Sequence, residues 1–529
     1  MNDTKIKDLG KLFTQKGYNV VIGDSYRKME EWLSYFRGSV NNLHHFTRKT
    51  MAGRKVDVYK PSLQMPKKVA EEWAGLTFNE KVQLLTGKKA SQDVLDKVLI
   101  DNHFVEEMTT FLELVMGVYG TGAIIEYVAD DKVKLNFVYG DKIMVIDYEN
   151  STIKGIAVVD EFDKGKMTYT HVMYHLYRKT ITDYDELGEP IYSGEPKYRI
   201  EHEIYETRSG NKGIGHPNKQ ALEILFSEQE INEMAHPVYN EDGEIIDVIF
   251  YMEYDSEPHF QVFKPAIVNN YDVKSPMGMP LTANAVSSFD GIDSKSYNLN
   301  REDSLTRTRI FVDDRVMTWS KVKDSSGNIR KSKYFDEDDD VYQVITGLVD
   351  GNDSVVTSNP TYDSAPRIEA IKLDLGMCGF QCGLGTDYFS FEAGSVYVNE
   401  ANVISSNSDT WRNRQKHVNR LHEVLVGMVK AVLFLSDIDY NESNIDIMFD
   451  DSIITDNTAK IIQLRLDAQD GLVPEYMYIM EQYKVNKDEA LKIIEEAKNQ
   501  DDLDEPLIPI VPPTEEPVDD EVDDEEDEE

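Results

Sequence analysis

Residues 399–435 read NEANVISSNSDTWRNRQKHVNRLHEVLVGMVKAVLFL, and the rest of the chain is interpreted around this stretch. Its apolar residues recur at alternating steps of three and four, at Trp411, Val418, Leu421, Leu425, Met428, Val432 and Leu435. Because no proline interrupts it, the spacing predicts one continuous helix about 50 Å long. We expect its other face to be basic, with Arg412, Arg414, Lys416, His417, Arg420 and His422.

The composition is that of a large protein without a membrane segment. The chain has 529 residues, of which 40% are hydrophobic, and is long enough for several domains. No apolar run approaches the roughly 20 residues that span a bilayer, and the start, MNDTKIKDLG, is charged where a signal peptide is apolar. We therefore expect neither secretion nor membrane binding. Cys378 and Cys382, the two cysteines, are predicted to be buried free thiols.

The charge is strongly negative but unevenly distributed. The formal net charge is −41, and residues 501–529 alone hold 16 acidic residues and no lysine or arginine, which predicts a disordered acidic tail. Residues 281–335 and 405–430 are each net positive, by three charges. Since nucleic-acid affinity comes mostly from lysine and arginine at phosphates, such a chain is not expected to bind nucleic acid tightly in general.

The first half of the chain is predicted to pass from helices to antiparallel strands. Apolar spacing and capping residues predict helices at 24–36, 65–86, 91–99 and 102–118. Alternating apolar residues from 122 onward predict strands with turns at 130–131, 139–140, 149–150 and 187–190. A short helix at 218–234 and a hairpin that turns at 242–243 are predicted to follow.

The glycines at 117–122, GVYGTG, invite comparison with a phosphate-binding loop. The stretch lacks the following Lys-Ser/Thr, and it joins a helix to a strand, whereas phosphate loops join a strand to a helix. A helix C-cap that runs into a hairpin explains the same glycines, and we favour that interpretation.

The second half is predicted to contain two helices on either side of a small β-rich insertion. The helices are predicted at 282–305 and 365–384, and the strands at 308–362. The first helix has a narrow apolar stripe on polar faces, which indicates packing against other copies or a water-filled space rather than a place in a globular core. After the loop at 386–398 and the long helix come a strand at 445–449 and three short helices, predicted at 457–469, 474–483 and 486–498.

The order and spacing of five stretches resemble the portal proteins, or head-to-tail connectors, of tailed double-stranded DNA bacteriophages, in the long-tailed (siphovirus-type) branch. The stretches are EEWLSYFRG (30–38), KKVAEEWAGLTFNE (67–80), GVYGTGAIIEYV (117–128), FKPAIVNNYDVKSPMGMPLTANAVSSFDGID (263–293) and NEANVISSNSDTWRNRQKHV (399–418).

The resemblance implies an α+β portal-like fold, with long stem and tunnel helices, an antiparallel β wing and a small β-rich clip, assembled as a ring. It divides the chain into a wing (1–278), stem helix 1 (279–307), a clip (308–363), stem helix 2 (364–385), a tunnel loop (386–398), a long wing and tunnel helix with the following strand (399–449), crown helices (450–500) and the disordered acidic tail (501–529).

The function that the resemblance implies is that of a homododecameric ring at one capsid vertex. Double-stranded DNA would be packaged and ejected through its channel, and the ring would contact the terminase large subunit, major capsid and scaffolding proteins, and then a head-tail adaptor. We expect the protein in the virion and, during assembly, in the bacterial host cytoplasm. No catalytic residue, metal or cofactor is expected.

Channel residues are assigned in two groups. The tunnel loop would present Phe391, Glu392, Ala393, Gly394, Ser395, Val396 and Tyr397 to DNA. Cationic rings in the stem would come from Lys295, Arg301, Arg307 and Lys372. For the basic residues at 412–422, pairing with acidic residues of a neighbouring copy is favoured over contact with DNA.

The alternative is a metal-dependent DNA-packaging nuclease or a terminase-like enzyme, in which the carboxylates at 336–340 would hold the metal. Five consecutive acidic residues without ligand spacing are more typical of a solvated turn. The chain also lacks a Walker lysine loop, so the energy for DNA movement is assigned to a separate motor ATPase, which would contact residues 313–345.

Overall fold

The structure is a computed structural model. It describes residues 3–20, 24–49, 55–79, 81–184, 190–239, 244–306, 309–313, 319–323, 329–333, 342–345, 355–358, 364–389, 400–438, 445–449, 464–468, 473–483 and 490–495. The chain forms two compact units, Met1–Asp450 and Asp451–Glu529. Helices and antiparallel strands are mixed throughout the first unit, which confirms the α+β prediction.

The helices of the first unit are α1 (Asp3–Gln15), α2 (Ser25–Phe36), α3 (Met65–Thr77), α4 (Lys89–Asp101), α5 (Phe104–Leu114), α6 (Glu228–Met234), α7 (Val286–Leu305), α8 (Ala365–Gln381) and α9 (Glu400–Leu435). In the second unit, α10 (Glu475–Tyr483) and helical residues 464–468 and 490–495 are described. No helix in the described ranges combines the length and the apolar character needed to cross a bilayer.

The strands are β1 (His45–Lys49), β2 (Lys55–Tyr59), β3 (Gln83–Thr86), β4 (Gly122–Ala129), β5 (Lys132–Tyr139), β6 (Ile143–Glu149), β7 (Thr152–Lys164), β8 (Met167–Tyr184), β9 (Pro190–Arg208), β10 (His216–Pro217), β11 (Ala235–Tyr239), β12 (Ile245–Tyr254), β13 (Phe260–Phe263), β14 (Arg309–Asp313), β15 (Trp319–Lys323), β16 (Ile329–Lys333), β17 (Tyr342–Ile345), β18 (Val355–Ser358) and β19 (Ile445–Met448).

A seven-stranded antiparallel sheet, in the order β11-β12-β9-β8-β7-β6 with β10 beside β9, is the centre of the first unit. One side is covered by α1 and α2, whose Leu9, Phe13 and Met29 pack in one cluster with sheet residues such as Val172 and Tyr174. The other side packs against the three-stranded sheet β13-β4-β5 and against residues 221–226. The middle of the central sheet is therefore covered on both faces, whereas β11 and β12 at its edge are half-buried or exposed.

The glycine turn predicted at 117–122 is a helix end that receives another part of the chain. α5 continues as a π-helical turn to Tyr119, and Gly120 then adopts a positive φ of 66°. A Cβ on Gly120 would lie 2.4 Å from the backbone of Met279, so only glycine permits this close approach. The hydroxyl of Thr121 accepts a hydrogen bond from the N–H of Gly278 at 2.9 Å. The C-cap interpretation is confirmed.

Several boundaries predicted from the sequence are corrected. The helix predicted at 65–86 ends at Thr77, and β3 follows because residues 83–86 pair with β19. The helix predicted at 218–234 is divided into a 3₁₀ helix, Lys219–Ile224, and α6, which begins at the capping box of Ser227. Helix α1 and the β1-β2 hairpin were not predicted. The turn predicted at 187–190 and the acidic segment 336–340 lie largely or wholly outside the described residues.

Three buried histidines and the half-buried His171 lie on the side of the central sheet that faces β13 and residues 221–226. The rings of His171 and His202 stack, with His171 Nε2 3.1 Å from His202 Nδ1, and His175 Nδ1 lies 2.6 Å from the hydroxyl of Tyr198. Burial lowers the pKa of His171 and His259 to about 4 and that of His175 and His202 to about 3. All four are therefore neutral in the folded protein at neutral pH.

We expect the free energy of unfolding to fall as the pH is lowered from 7.5 to 5.5. The unfolded chain takes up protons near pH 6.5, whereas these folded histidines do not, so each one costs about 1 kcal/mol over this range. The buried Glu126, whose pKa is raised by burial, opposes the trend by a single proton. Urea denaturation across this pH range should show a slope that His175→Phe reduces and that His216→Asn, at an exposed position, leaves unchanged. A flat profile would contradict this account.

Candidate functional site

Helices α7 and α8 stand side by side and run antiparallel, with the strands β14–β18 inserted between them in sequence. Three polar bridges join the helices at steps of seven residues along each. Ser288 Oγ donates to Gln381 Oε1 at 2.8 Å, Lys295 pairs with Asp374 at 2.7 Å, and Arg367 pairs with Glu302 at 2.6 Å. Because seven residues are about two helical turns, the bridges form one ladder that fixes the register of the pair.

The amino-terminal half of α7 is part of the core, which corrects one expectation. Phe289 and Ile292 are fully buried, and the buried Asp293 lies 3.0 Å from His44 Nε2 and accepts from the N–H of Leu63. The predicted apolar stripe is present, but in the first half of the helix it is buried against residues of the same chain. Sequence spacing alone underestimated this burial, because β1 and its flanking residues, which supply the partners, were not predicted.

Helix α8 has two apolar faces. One face is buried and contains Leu375, Cys378 and Cys382, both cysteines being free thiols as predicted. The other face is exposed and contains Leu373, Met377 and Phe380, with exposures of 65%, 48% and 72%. Positions 373, 377 and 380 follow the helical steps of four and three, so these side chains form one continuous strip. An apolar strip of this kind is typical of an interaction surface.

Two of the four cations predicted for the channel are neutralised within the chain. Lys295 pairs with Asp374 and also donates to the carbonyl of Ala370 at 3.2 Å, and Lys372 pairs with Glu369 one turn earlier, at 3.1 Å. Arg301 is half-buried on α7. Arg307 lies outside the described residues, as do all seven tunnel-loop residues, Phe391, Glu392, Ala393, Gly394, Ser395, Val396 and Tyr397. Their predicted roles remain predictions.

Hydrogen bonds join the end of α8 to the first half of α9, and we call this region the loop base, formed by residues 383–385 and 410–413. The side chain of Asn413 donates to the carbonyl of Gly383 at 2.9 Å. The N–H of Gly385 donates to the hydroxyl of Thr410 at 3.0 Å. These contacts hold the end of α8 against the part of α9 that begins at Thr410.

Helix α3 packs against the residues next to the loop base. Trp73 is fully buried, and its indole N–H donates to the carbonyl of Cys382 at 2.9 Å. The ring of His417 meets Trp73 edge to face, with centroids 5.0 Å apart. The hydroxyl of Tyr388 donates to Glu72 at 2.7 Å. These contacts fix α3, the end of α8 and α9 relative to one another.

The basic face predicted on α9 is partly wrong, because Arg414 and His417 point into the fold. Arg414 is 3% exposed, and its Nε donates to the carbonyl of Leu76 at 2.6 Å. His417 Nδ1 accepts from the N–H of Ala266 at 2.9 Å, and burial lowers its pKa to about 4. Trp411, predicted on the apolar face, is instead exposed.

The spacing of residues along α9 contained a signal that Arg414 and His417 face the core. The buried stripe of α9 continues backwards from Leu421 in steps of four, three and four to His417, Arg414 and Thr410. Polar residues at such positions were assigned to the solvent face because of their type rather than their spacing. Two of the exposed basic residues form ion pairs within the helix, Arg412 with Asp409 and Arg420 with Glu423.

Comparison with known proteins finds neither a matching protein-family model nor a matching curated protein. Among solved structures, a chain from the virion of a native gene transfer agent (GTA) particle is similar to this one. The TM-score is 0.41 and the sequence identity is 10%, and the match covers 89% of this chain and 98% of that chain.

We expect Gly379→Ala to destabilise the loop base. A Cβ at this position of α8 would lie 2.5 Å from the carbonyl oxygen of Gly385, a backbone atom that cannot move without breaking the bond to Thr410. The expected loss is about 1–3 kcal/mol in the free energy of unfolding. The matched control is Gly75→Ala on α3, where a Cβ meets nothing within 4 Å and a gain of up to about 1 kcal/mol is expected. Equal effects of the two changes on chemical denaturation would contradict this.

Proposed function

We propose that this protein is a structural protein of a phage virion, a portal that forms a homododecameric ring at one vertex of the capsid. Double-stranded DNA enters and leaves through the channel of the ring. The terminase large subunit docks on it during packaging, a head-tail adaptor docks afterwards, and major capsid and scaffolding proteins surround it. The observation that carries the proposal is the exposed apolar strip of α8.

Within the part of the chain that the structure describes, no residue buries the strip, so we infer that another surface covers it. Burying a side chain such as leucine, methionine or phenylalanine contributes about 1.5–3 kcal/mol, so leaving Leu373, Met377 and Phe380 in water is costly in a monomer. A closed ring buries such a strip in every copy, because each copy meets the next through two different surfaces.

A second exposed apolar surface offers the other half of such an interface. Val268 and Val273 are 75% and 77% exposed in the segment that leads into α7, and the hydroxyl of Tyr271 ties this segment to the carbonyl of Ala283 at 2.8 Å. Residues 268–273 differ in position and shape from the α8 strip. Two unlike apolar surfaces on one chain fit a heterologous contact, which closes rings, better than a two-fold contact, which closes dimers.

The loop base supports a channel role for the 386–398 segment. The bonds of Thr410 and Asn413 hold the end of α8 against α9, so the 386–398 segment and the first ten residues of α9 lie, in sequence, between two points that are fixed relative to each other. In this proposal the segment is the constriction that contacts DNA. The chain itself has no catalytic role, and a separate motor ATPase that docks on residues 313–345 supplies the energy for packaging.

We expect Leu373→Glu combined with Phe380→Glu to prevent ring assembly. Two carboxylates on the strip would have to be desolvated at the interface, which costs several kcal/mol per copy. Negative-stain images and sedimentation of the purified protein should show monomers or small oligomers in place of rings. The matched control is Ile245→Glu, which adds a charge at an exposed apolar residue (60% exposed) on β12 and should leave rings intact. Rings that form normally in the double variant would remove the main support for the proposal.

Substitutions in the 386–398 segment should act on DNA rather than on assembly. Gly394→Val and Tyr397→Ala are expected to give rings of normal size that package or retain several-fold less DNA, because the constriction is altered while α7, α8 and α9 are not. Packaged DNA can be measured as nuclease-resistant DNA in assembled heads. Tyr239→Ala, at an exposed tyrosine on β11, serves as the control. Failure of the loop variants to form rings would contradict the role assigned to the segment.

A further inference from the structure

The β1-β2 hairpin is cationic, although the chain as a whole is strongly acidic. Residues 45–60 hold five lysine or arginine residues and one aspartate, in a chain whose formal net charge is −41. Three of these cations have exposed side chains on the strands, and we call them the hairpin cations: Arg48, Lys49 and Lys55. They lie on the two residue pairs nearest the turn, because Lys49 is opposite Lys55 and Arg48 is opposite Val56.

The contacts that hold the hairpin on the fold lie at its base, away from the turn. The N–H of Lys60 donates to the carbonyl of His44 at 2.8 Å, and the ring of His44 lies 3.0 Å from Asp293 of α7. The ammonium group of Lys60 lies over the rings of Phe46 and Tyr297, 5.3 and 5.8 Å from their centroids. The cation at the base therefore holds the hairpin against α7, whereas the hairpin cations lie at the other end of the strands.

The hairpin cations form no ion pair with any residue that the structure describes. Asp57, the acidic residue of the hairpin, instead accepts a hydrogen bond from the hydroxyl of Thr47 at 2.7 Å. Lys49 and Lys55 are directly opposed, and like charges placed so are destabilising. A two-stranded hairpin is only marginally stable by itself, so this repulsion is a substantial cost. A cationic tip that costs stability indicates an anionic partner.

The face that contains the opposed lysines also contains exposed aromatic side chains. Alternate strand residues share a face, so Lys49 and Lys55 lie on the same face as His45 and Tyr59. The rings of His45 and Tyr59 are 4.8 Å apart, and Tyr59 is 59% exposed. Lysine, arginine and tyrosine side chains are among the groups that contact phosphate and sugar in protein–DNA interfaces. This combination favours a nucleic-acid backbone over a carboxylate-bearing partner.

Protection of the strand edges explains only part of this arrangement. Lysines on exposed edge strands prevent sheets from associating edge to edge. Single charges along a strand serve that purpose, and it requires neither a directly opposed lysine pair nor an arginine on the adjacent pair. Arginine matches phosphate oxygens through its planar fork, while lysine acts as a point charge.

We propose that the hairpin cations bind the phosphate backbone of double-stranded DNA, without reading its sequence. Paired strands lie about 5 Å apart and successive residues about 3.3 Å apart, so the three charges form one compact group at the tip. The choice of DNA among polyanions rests on the proposed function, which brings a duplex to this protein. The cationic tip itself does not depend on that function. This contact is additional to the channel contact assigned to the 386–398 segment.

The test measures binding of a fluorescein-labelled duplex of random sequence to the full-length protein, at salt concentrations from about 50 to about 200 mM. In R48Q/K49Q/K55Q we expect several-fold weaker binding at the lowest salt and a shallower dependence of log affinity on log salt. If each cation neutralises one phosphate, the slope decreases by about 2 to 3. The control K7Q/K11Q/K97Q removes the same charge from exposed positions of α1 and α4 and should keep the wild-type slope. Equal affinities and slopes in the two variants would overturn the proposal.

The thermal unfolding midpoint separates binding from a structural role. Because the substitutions remove the repulsion between opposed lysines, the hairpin variant should be at least as stable as the wild type. A lower midpoint with unchanged duplex affinity would show that the cations stabilise the fold instead, and the proposal would be wrong. Aggregation of the variant with unchanged duplex affinity would assign the lysines to edge protection alone and would also overturn it.

An acidic polypeptide is the other polyanion that the tip could take, and polyglutamate in place of the duplex tests it. We expect the hairpin variant to lose more affinity for the duplex than for polyglutamate. If it loses affinity for polyglutamate alone, the DNA proposal fails. Negative-stain images of the same samples report on ring formation separately. Rings with unchanged duplex binding in the variant refute this inference alone, whereas a wild-type protein without rings refutes the proposed function and leaves the comparison of variants readable.

Discussion

The arrangement of the three helices around the loop base depends on buried carbonyl groups at helix ends. The last carbonyls of any helix have no partner within it, and leaving one buried and unpaired costs about 1–3 kcal/mol. Here Arg414 reaches the carbonyl of Leu76 at the end of α3, while Trp73 and Asn413 reach those of Cys382 and Gly383 at the end of α8. These bonds are directional, unlike apolar contacts. They therefore fix both the position of the helices and the direction in which the chain leaves α8 and enters α9.

The same requirement explains why α8 is unusual among the described helices. Its end is held by polar bonds, its inner face by Leu375 and the two cysteines, and its register by the ladder to α7, yet the strip with Phe380 remains in water. A helix that is this firmly positioned cannot turn its second apolar face inwards. The rigid mounting of the strip thus favours a contact in which another surface comes to it, and it reduces the entropy lost when that contact forms.

The sequence predicts the long helices well because their signals are local. Apolar spacing gave α7, α8 and α9 within a few residues, and the glycines at 117–122 indicated a helix end. Prediction from the sequence failed where the structure of a segment depends on pairing or packing with residues distant in the chain. Residues 83–86 form a strand because β19 lies beside them, and the first half of α7 is buried because His44 and Leu63 pack on it. Arg414 and His417 were placed in solvent because their residue type was given more weight than their position on the stripe.

The distribution of charge on the described residues bears on how a ring could let DNA slide. In a ring, each cation is repeated in every copy, and the logarithm of the affinity changes linearly with the number of phosphates neutralised. A stem lined with free cations would therefore multiply contacts along its whole length and hold the duplex in place. In the proposed ring, the ion pairs of Lys295 with Asp374 and of Arg367 with Glu302 would keep these two cations from adding such contacts.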